Sequence, residues 1–272
     1  MKILIWSKDR ACQLDMFLAS VKQYAKFTPE VICLYRTSSE DFERGYRIVA
    51  EQYDFLRLVP ENDFYSDTIN LIADSSTICL CTDDSVFIGD FGLQDELVKE
   101  HAAFSYRMGF NTRTQHTLGG IEQPYLNRYV VTDDILVWKW TEYSQTNDYG
   151  YPLSLDGHVY LTNRLMPIIT SIRFKNPNDL EGQLFFNKMS LPQTIASYTH
   201  SRLVNVPVNN MSGITRFGDK YSYPINELNA EFLAGKRFKY DLSGVDIVGA
   251  HQELEMIEIT KTSSIQPSSV GV

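Results

Sequence analysis

Two adjacent carboxylates, Asp83 and Asp84, follow the apolar run Ile78-Cys79-Leu80-Cys81 and precede Val86-Phe87-Ile88. An acidic pair at the end of a buried strand has a chemical use. One carboxylate can ligate a divalent cation while the other orients a ligand hydroxyl, such as that of a ribose. Hard oxygen ligands suit Mg²⁺ or Mn²⁺, and such a cation bridges neighbouring phosphates and offsets charge on a departing diphosphate. The plainer reading of the pair is a solvated turn with a capping Asp. Position along the fold decides between the two.

Other residues could serve the same chemistry. Lys8 and Arg10 follow the first apolar run, Lys2 to Trp6, where a cationic side chain can meet a nucleotide or its phosphates; ordinary surface charge is the alternative. Arg107 closes a second apolar stretch and precedes Gly109, so it can reach a diphosphate or a sugar, or form a structural ion pair. Asp156 lies in a segment rich in Gly and Tyr, Tyr149-Gly150-Tyr151-Pro152 to Asp156-Gly157-His158. Glycines such as Gly157 let the backbone approach a ligand closely, and tyrosines offer flat faces to sugars. Asp156 would then hydrogen-bond sugar hydroxyls, unless it only caps a turn. Asp179 and Glu181 follow Asn176-Pro177-Asn178, where capping and the helix dipole alone account for acidic residues.

The elements that must position these residues alternate in the first ninety positions. Lys2 to Trp6, Val31 to Tyr35, Phe55 to Val59 and Thr77 to Cys81 read as strands. Between them, Ala11 to Lys26 carries Leu14, Phe17, Leu18 and Val21 at helical spacing. Asp41 to Tyr53 and a short helix from Ser66 to Ala73, with Ser66 as N-cap, complete the alternation. This rhythm predicts an α/β fold with a mostly parallel sheet and right-handed crossovers. Ligands bind such sheets at the carboxyl ends of the strands, which are Ser7 to Arg10, Arg36 to Ser39, Pro60 to Asp63 and Thr82 to Ser85.

After Phe91 the rhythm changes. Ala103 to Gly109 reads as a strand and turn, and Tyr129 to Val131 with Ile135 to Trp140 as a hairpin or two short strands. A helix is expected from Gly157 or His158 through Arg164 and another over Leu180 to Asn187, then a strand at Leu203 to Val208. Without repeat or long linker, residues 1–260 are expected to form one unit: a nucleotide-binding half over 1–100 and a donor-sugar and acceptor half over 101–260. Residues 261–272, rich in Ser, Thr and Pro, read as a flexible tail.

Composition narrows the function classes. The 272 residues carry a formal net charge of -9, which argues mildly against a duplex nucleic-acid partner. A hydrophobic content of 43% is enough for a sizeable core. No apolar stretch reaches the ~18 residues of a membrane span. The apolar start ends at Ser7-Lys8-Asp9-Arg10, so it reads as a strand and not a signal peptide. Four cysteines, Cys12, Cys33, Cys79 and Cys81, lack a second pair to complete a zinc site; they read as structural thiols in a reducing, cytoplasmic setting.

Strand followed by Thr82-Asp83-Asp84-Ser85-Val86-Phe87 resembles the DxD region of GT-A glycosyltransferases, in a family 2-like group of bacterial and phage proteins. Trp6-Ser7-Lys8-Asp9-Arg10 with Gln13-Leu14 is similar to the first nucleotide-binding loop of that group. Phe104 to Gly109, Gly150 to His158, Asn176 to Glu181 and Ala250-His251-Gln252-Glu253 extend the resemblance over nearly the whole chain. The resemblance implies a Rossmann-like sheet flanked by helices, with a smaller antiparallel part on the acceptor side. It implies a nucleotide-sugar donor, such as a UDP-sugar, held by Ser7, Lys8, Asp9, Arg10, Asp83, Arg107 and Gly157. It implies Mn²⁺ or Mg²⁺ on Asp84 and Asp83, with a later histidine, His200 or His251, as a further ligand and His158 as a third candidate. In inverting members an acidic base sits at a helix start, which points to Glu181 ahead of Asp179, with Asp156 on the donor sugar; in a retaining enzyme that role disappears. The chain departs from the pattern at Ser85, where a second carboxylate is expected.

The acceptor is left open by the sequence. A glycan or other hydroxyl is one reading. Hydroxymethylated bases in DNA are another, for which a flipped base must reach the donor and a basic groove beside Asp83 is expected. A non-catalytic sugar-nucleotide-binding protein is a third. A nucleotidyltransferase is disfavoured, because no Gly-rich loop with a following Lys succeeds the first strand.

Overall fold

The computed structural model describes residues 1–115, 121–144, 146–209, 223–238, 242, 244–252, 254 and 260–261. The first half follows the expected alternation: β1 (Lys2–Lys8), α1 (Ala11–Tyr24), β2 (Val31–Arg36), α2 (Glu40–Gln52), β3 (Leu56–Pro60), α3 (Phe64–Ala73), β4 (Thr77–Thr82) and β5 (Ser85–Phe87). Then come α4 (Asp95–Glu100), β6 (Phe104–Ser105), β7 (Thr114–Gln115), β8 (Ile121–Glu122), β9 (Tyr129–Thr132) and β10 (Ile135–Lys139). The chain continues with β11 (His158–Leu161), α5 (Thr162–Ser171), α6 (Pro177–Phe186), β12 (Thr194–Tyr198), β13 (Leu203–Asn205), α7 (Ile225–Leu233), β14 (Lys236–Arg237) and β15 (Thr260–Lys261).

One nine-stranded sheet runs through both halves in the order β3-β2-β1-β4-β11-β6-β12-β10-β9. Neighbours from β3 to β4 are parallel, with Trp6 of β1 level with Thr82 of β4. β11 and β10 run against the other strands, which gives the second half its antiparallel pairs. The α/β class, the largely parallel sheet and the antiparallel second part are as expected from the sequence.

The two faces of β1 explain why it reads as a continuous apolar run. Ile3 and Ile5 pack into one core with Leu14, Phe17, Leu18 and Val21 of α1. Leu4 and Trp6 face the opposite core with Ile78, Leu80, Leu165 and Leu180. A strand covered on both faces by helices has no polar side to alternate with.

Three expectations are corrected. The segment at Gly157 and His158 begins not a helix but β11, which inserts between β4 and β6; Val159 and Tyr160 are buried, and the helix starts only at Thr162. The N-cap of α3 is Asp63, whose carboxylate accepts from the Ser66 amide at 2.9 Å, so Ser66 lies inside the first turn. The strand expected over Leu203 to Val208 ends at Asn205, the last residue that pairs with β5. Glu253 and residues 262–272, to which the sequence assigns a motif and a tail, lie outside the described residues. No helix among the described residues is long and apolar enough to cross a membrane.

Candidate functional site

The carboxyl ends of β1 and β4 meet side by side at the centre of the sheet. After Lys8 the chain turns at Asp9, whose φ of 59° is left-handed and strained for a residue with a side chain. Two hydrogen bonds hold that turn: the Asp9 amide donates to the Arg36 carbonyl at 3.1 Å, and its carboxylate accepts from the Ser38 amide at 2.7 Å. The turn aims Arg10 across to the end of β4. Arg10 Nη1 lies 2.8 Å from Asp83 Oδ1, and Arg10 Nη2 lies 2.8 Å from Asp84 Oδ2.

The remaining oxygens of the acidic pair are also engaged. Asp83 Oδ2 accepts from the Ser7 hydroxyl at 2.7 Å, and Ser7 shares a 2.6 Å bond with Tyr46 of α2. Asp84 Oδ1 accepts from Asn205 Nδ2 at 2.6 Å. Asp83 is buried, and burial pushes its carboxyl above the usual range although Arg10 pulls it back. Burial works against the charge of Arg10, but Asp83 and Asp84 outweigh it and raise the guanidinium further.

Asn205 links this pair to a second cluster. Its amide also donates to Thr82 Oγ1 at 2.9 Å, and Thr82 Oγ1 donates to Asp156 Oδ1 at 2.8 Å. Asp156 Oδ2 lies 3.3 Å from Arg107 Nη1 and 2.9 Å from His251 Nε2. Arg107 Nη2 lies 3.5 Å from Asp148. Burial alone would raise the Asp156 carboxyl, but His251, Arg107 and Thr82 together hold it below the ordinary carboxylate range.

Glu181, on the first turns of α6, faces the same cluster. Its Oε1 accepts from the Ser154 hydroxyl and the Leu155 amide, each at 3.1 Å. Burial and the nearby Asp156 raise its carboxyl above the ordinary value, while Arg107 opposes them. Asp179 does different work: its carboxylate accepts from the Lys175 amide at 3.0 Å, and Asn176 caps the helix by accepting from the Asp179 amide at 2.8 Å.

The structure therefore brings together Ser7, Arg10, Asp83, Asp84, Arg107, Asp156, Glu181 and His251. Lys8 is exposed, and Asp9 supplies the turn. Gly157 is needed by the backbone: its φ is +72°, its amide donates to Leu80 at 2.7 Å, and a Cβ there would sit 3.1 Å from Leu203. His200 is exposed, and among the described residues no hydrogen bond joins it to the cluster. His158 is buried in β11 against the Pro152 carbonyl at 3.4 Å, with its imidazole lowered to about 3 by burial and Arg107.

Sequence reading missed Tyr46, Asp148 and Asn205. Tyr46 looks like one more apolar position of α2, and Asp148 is one polar residue in a polar stretch. Asn205 offered a weak signal, as a polar residue inside the apolar run Leu203 to Val208.

The chemistry of the donor set bears on a metal. All four carboxylate oxygens of Asp83 and Asp84 already accept from Arg10, Ser7 or Asn205. No group of three or more His, Cys, Asp and Glu side chains among the described residues is arranged to hold an ion. As folded, these residues do not fit a divalent cation.

No protein-family model matches the chain. A curated relative, the bifunctional glycosyltransferase pgtA of Dictyostelium discoideum, is 25% identical over 192 residues, which are 63% of this chain and 25% of that protein. The chain thus spans about a quarter of the relative's length. Among solved structures, S. aureus TarS 1-349 has a TM-score of 0.44 at 15% identity, over 73% of this chain and 58% of that one. The galactosyltransferase LgtC, in complex with donor and acceptor sugar analogues, has a TM-score of 0.43 at 11% identity, over 85% of this chain and 95% of that one.

Proposed function

We propose that the chain is a nucleotide-sugar-dependent glycosyltransferase, moving a sugar from a nucleoside diphosphate, such as UDP, to a hydroxyl acceptor. The observation that carries this reading is the hydrogen-bonded chain from Asp84, which Arg10 joins to Asp83, through Asn205 and Thr82 to Asp156, at the strand ends where α/β sheets take ligands. The glycosyltransferase relative supports it.

The nucleotide would lie over the ends of β1 and β4. There the first turn of α1, which holds no acidic residue, offers its positive end to the diphosphate. Asp156, kept ionised, would accept hydrogen bonds from the donor sugar. Glu181 would take the acceptor proton as the hydroxyl oxygen attacks the anomeric carbon and the nucleoside diphosphate leaves. Its carboxyl is raised by burial and by Asp156, which makes the carboxylate a stronger base than an ordinary glutamate. No step is routed through a divalent cation, because Arg10 already bridges the acidic pair. Four buried free thiols favour a reducing, cytoplasmic location.

The test is a thermal-shift screen of nucleotide sugars, followed by a nucleoside diphosphate release assay on each ligand that raises the melting temperature. A stabilising ligand that is turned over supports transfer. Stabilisation without turnover under any acceptor leaves a sugar-nucleotide-binding protein, and no stabilisation by any sugar nucleotide removes both readings.

A further inference from the structure

The acidic pair is occupied by the protein itself. Arg10 spans Asp83 and Asp84 with one nitrogen on each, 2.8 Å in both cases, in the space a cation bridging the two carboxylates would need. The other two oxygens are taken by Ser7 and Asn205. We propose that Arg10 is a built-in counter-cation that replaces a divalent metal at Asp83 and Asp84, so that this chain keeps its acidic pair closed to Mn²⁺ and Mg²⁺.

Three features make the guanidinium a fixture and not a passing surface contact. Its backbone is tied: the Arg10 amide donates to the Tyr46 hydroxyl at 3.1 Å, and the Arg10 carbonyl accepts from Leu14 at 3.0 Å in the first turn of α1. The preceding Asp9 adopts its left-handed turn at the cost of strain, held by Arg36 and Ser38. The Arg10 side chain is only 12% exposed. A metal entering between the carboxylates would have to expel a buried cation or sit beside it, and like charges at that range repel strongly in a partly dry site. Ser85 fits the same account. A pair already bridged by an arginine has no use for the further carboxylate of a metal-binding DxD pattern.

The inference stands whether or not sugar transfer is the reaction, and its test uses the metal alone. Free Mn²⁺ is measured by electron paramagnetic resonance while Mn²⁺ is titrated into the full chain, with circular dichroism as a check of folding. The wild type is expected to show no saturable site up to millimolar Mn²⁺. Arg10→Lys, which keeps the charge, should behave alike. Arg10→Gln should gain one saturable site below millimolar Mn²⁺ by removing the resident charge, and Asp84→Asn in that background should lose it. A wild-type site that Asp84→Asn abolishes would overturn the proposal, even if Arg10→Gln fails to fold. A folded Arg10→Gln protein that gains no site would overturn it as well.

Discussion

His251 Nε2 lies 2.9 Å from Asp156 Oδ2, although the two residues are 95 positions apart. The contact brings the segment around His251 against Asp156 beside β11. The segment is held there by backbone bonds from Asn205 to Ala250 and from Gln252 to Asn205, each 2.9 Å. One strand end thus fixes both Asp84, through the Asn205 side chain, and the His251 segment, through its backbone.

Asp156→Asn tests the centre of this arrangement. It removes the charge that Arg107 and His251 face, leaving Asp148 at 3.5 Å as the ion pair Arg107 keeps among the described residues. Loss of one partner from a buried pair costs about 3–5 kcal/mol. A lower melting temperature and loss of nucleotide-sugar binding are expected. The pH dependence follows from the lowered carboxyl. A folded value below the unfolded one, ~3.9 for Asp, stabilises the fold above that pH and is lost as acid is added. Acid unfolding of the wild type should therefore be steeper than that of Asp156→Asn. Equal acid sensitivity in the two proteins would show that folding does not lower the Asp156 carboxyl.

Glu181→Gln separates chemistry from stability. The amide can still accept from Ser154 and the Leu155 amide. Because the Glu181 carboxyl is raised in the fold, its ionisation opposes stability at neutral pH, and the neutral replacement should melt no lower. Removing a general base should reduce turnover by about 10²–10⁴-fold. In the wild type, kcat/KM should rise with pH through a value above the ordinary Glu range, and that limb should vanish in the variant. A full-rate Glu181→Gln enzyme would exclude the base assignment.

How much of this was legible depended on where each interaction is decided. The β1 to β4 half could be read from sequence because strands covered on both faces are unbroken apolar runs, and because Asp83 directly follows one of them. β11 could not, since His158-Val159-Tyr160-Leu161 runs into α5 without a turn residue, and only its place between β4 and β6 makes it a strand. The residue types of the site were visible, yet their pairing was not. That Arg10 meets the acidic pair depends on the Asp9 turn, a backbone choice that sequence spacing does not reveal. The division of labour between Asp179 and Glu181 likewise follows from the rotation of α6, which points one to the cap and the other to Ser154.

Gly157→Ala examines a residue that the sequence connects with ligand approach. With φ at +72° and Leu203 at 3.1 Å from the added methyl, the substitution combines backbone strain with a tight contact. A loss of about 1–3 kcal/mol is expected in denaturant unfolding. The variant that remains folded should bind nucleotide sugar with little change, if the glycine serves the backbone alone. A large affinity loss without a stability loss would instead place a ligand against Gly157.

Asn205→Asp reverses a donor at the junction of the two clusters. The native amide donates to Thr82 Oγ1 and to Asp84 Oδ1, and an ionised carboxylate can donate to neither. It would also add a negative charge beside Asp84, which shares the single Arg10 charge with Asp83. Asn205→Ala only deletes the donor, leaving an acceptor of Asp84 unmet at a cost of about 1–3 kcal/mol. The aspartate variant should therefore be less stable than the alanine variant at neutral pH. The gap between them should shrink as pH falls and the new carboxyl is protonated, since an acid hydroxyl can donate to Asp84 again. Melting temperatures of both variants from pH 5 to 8 measure this. A gap that does not change with pH would mean that Asp84 finds another donor, and that the two clusters are not joined through Asn205.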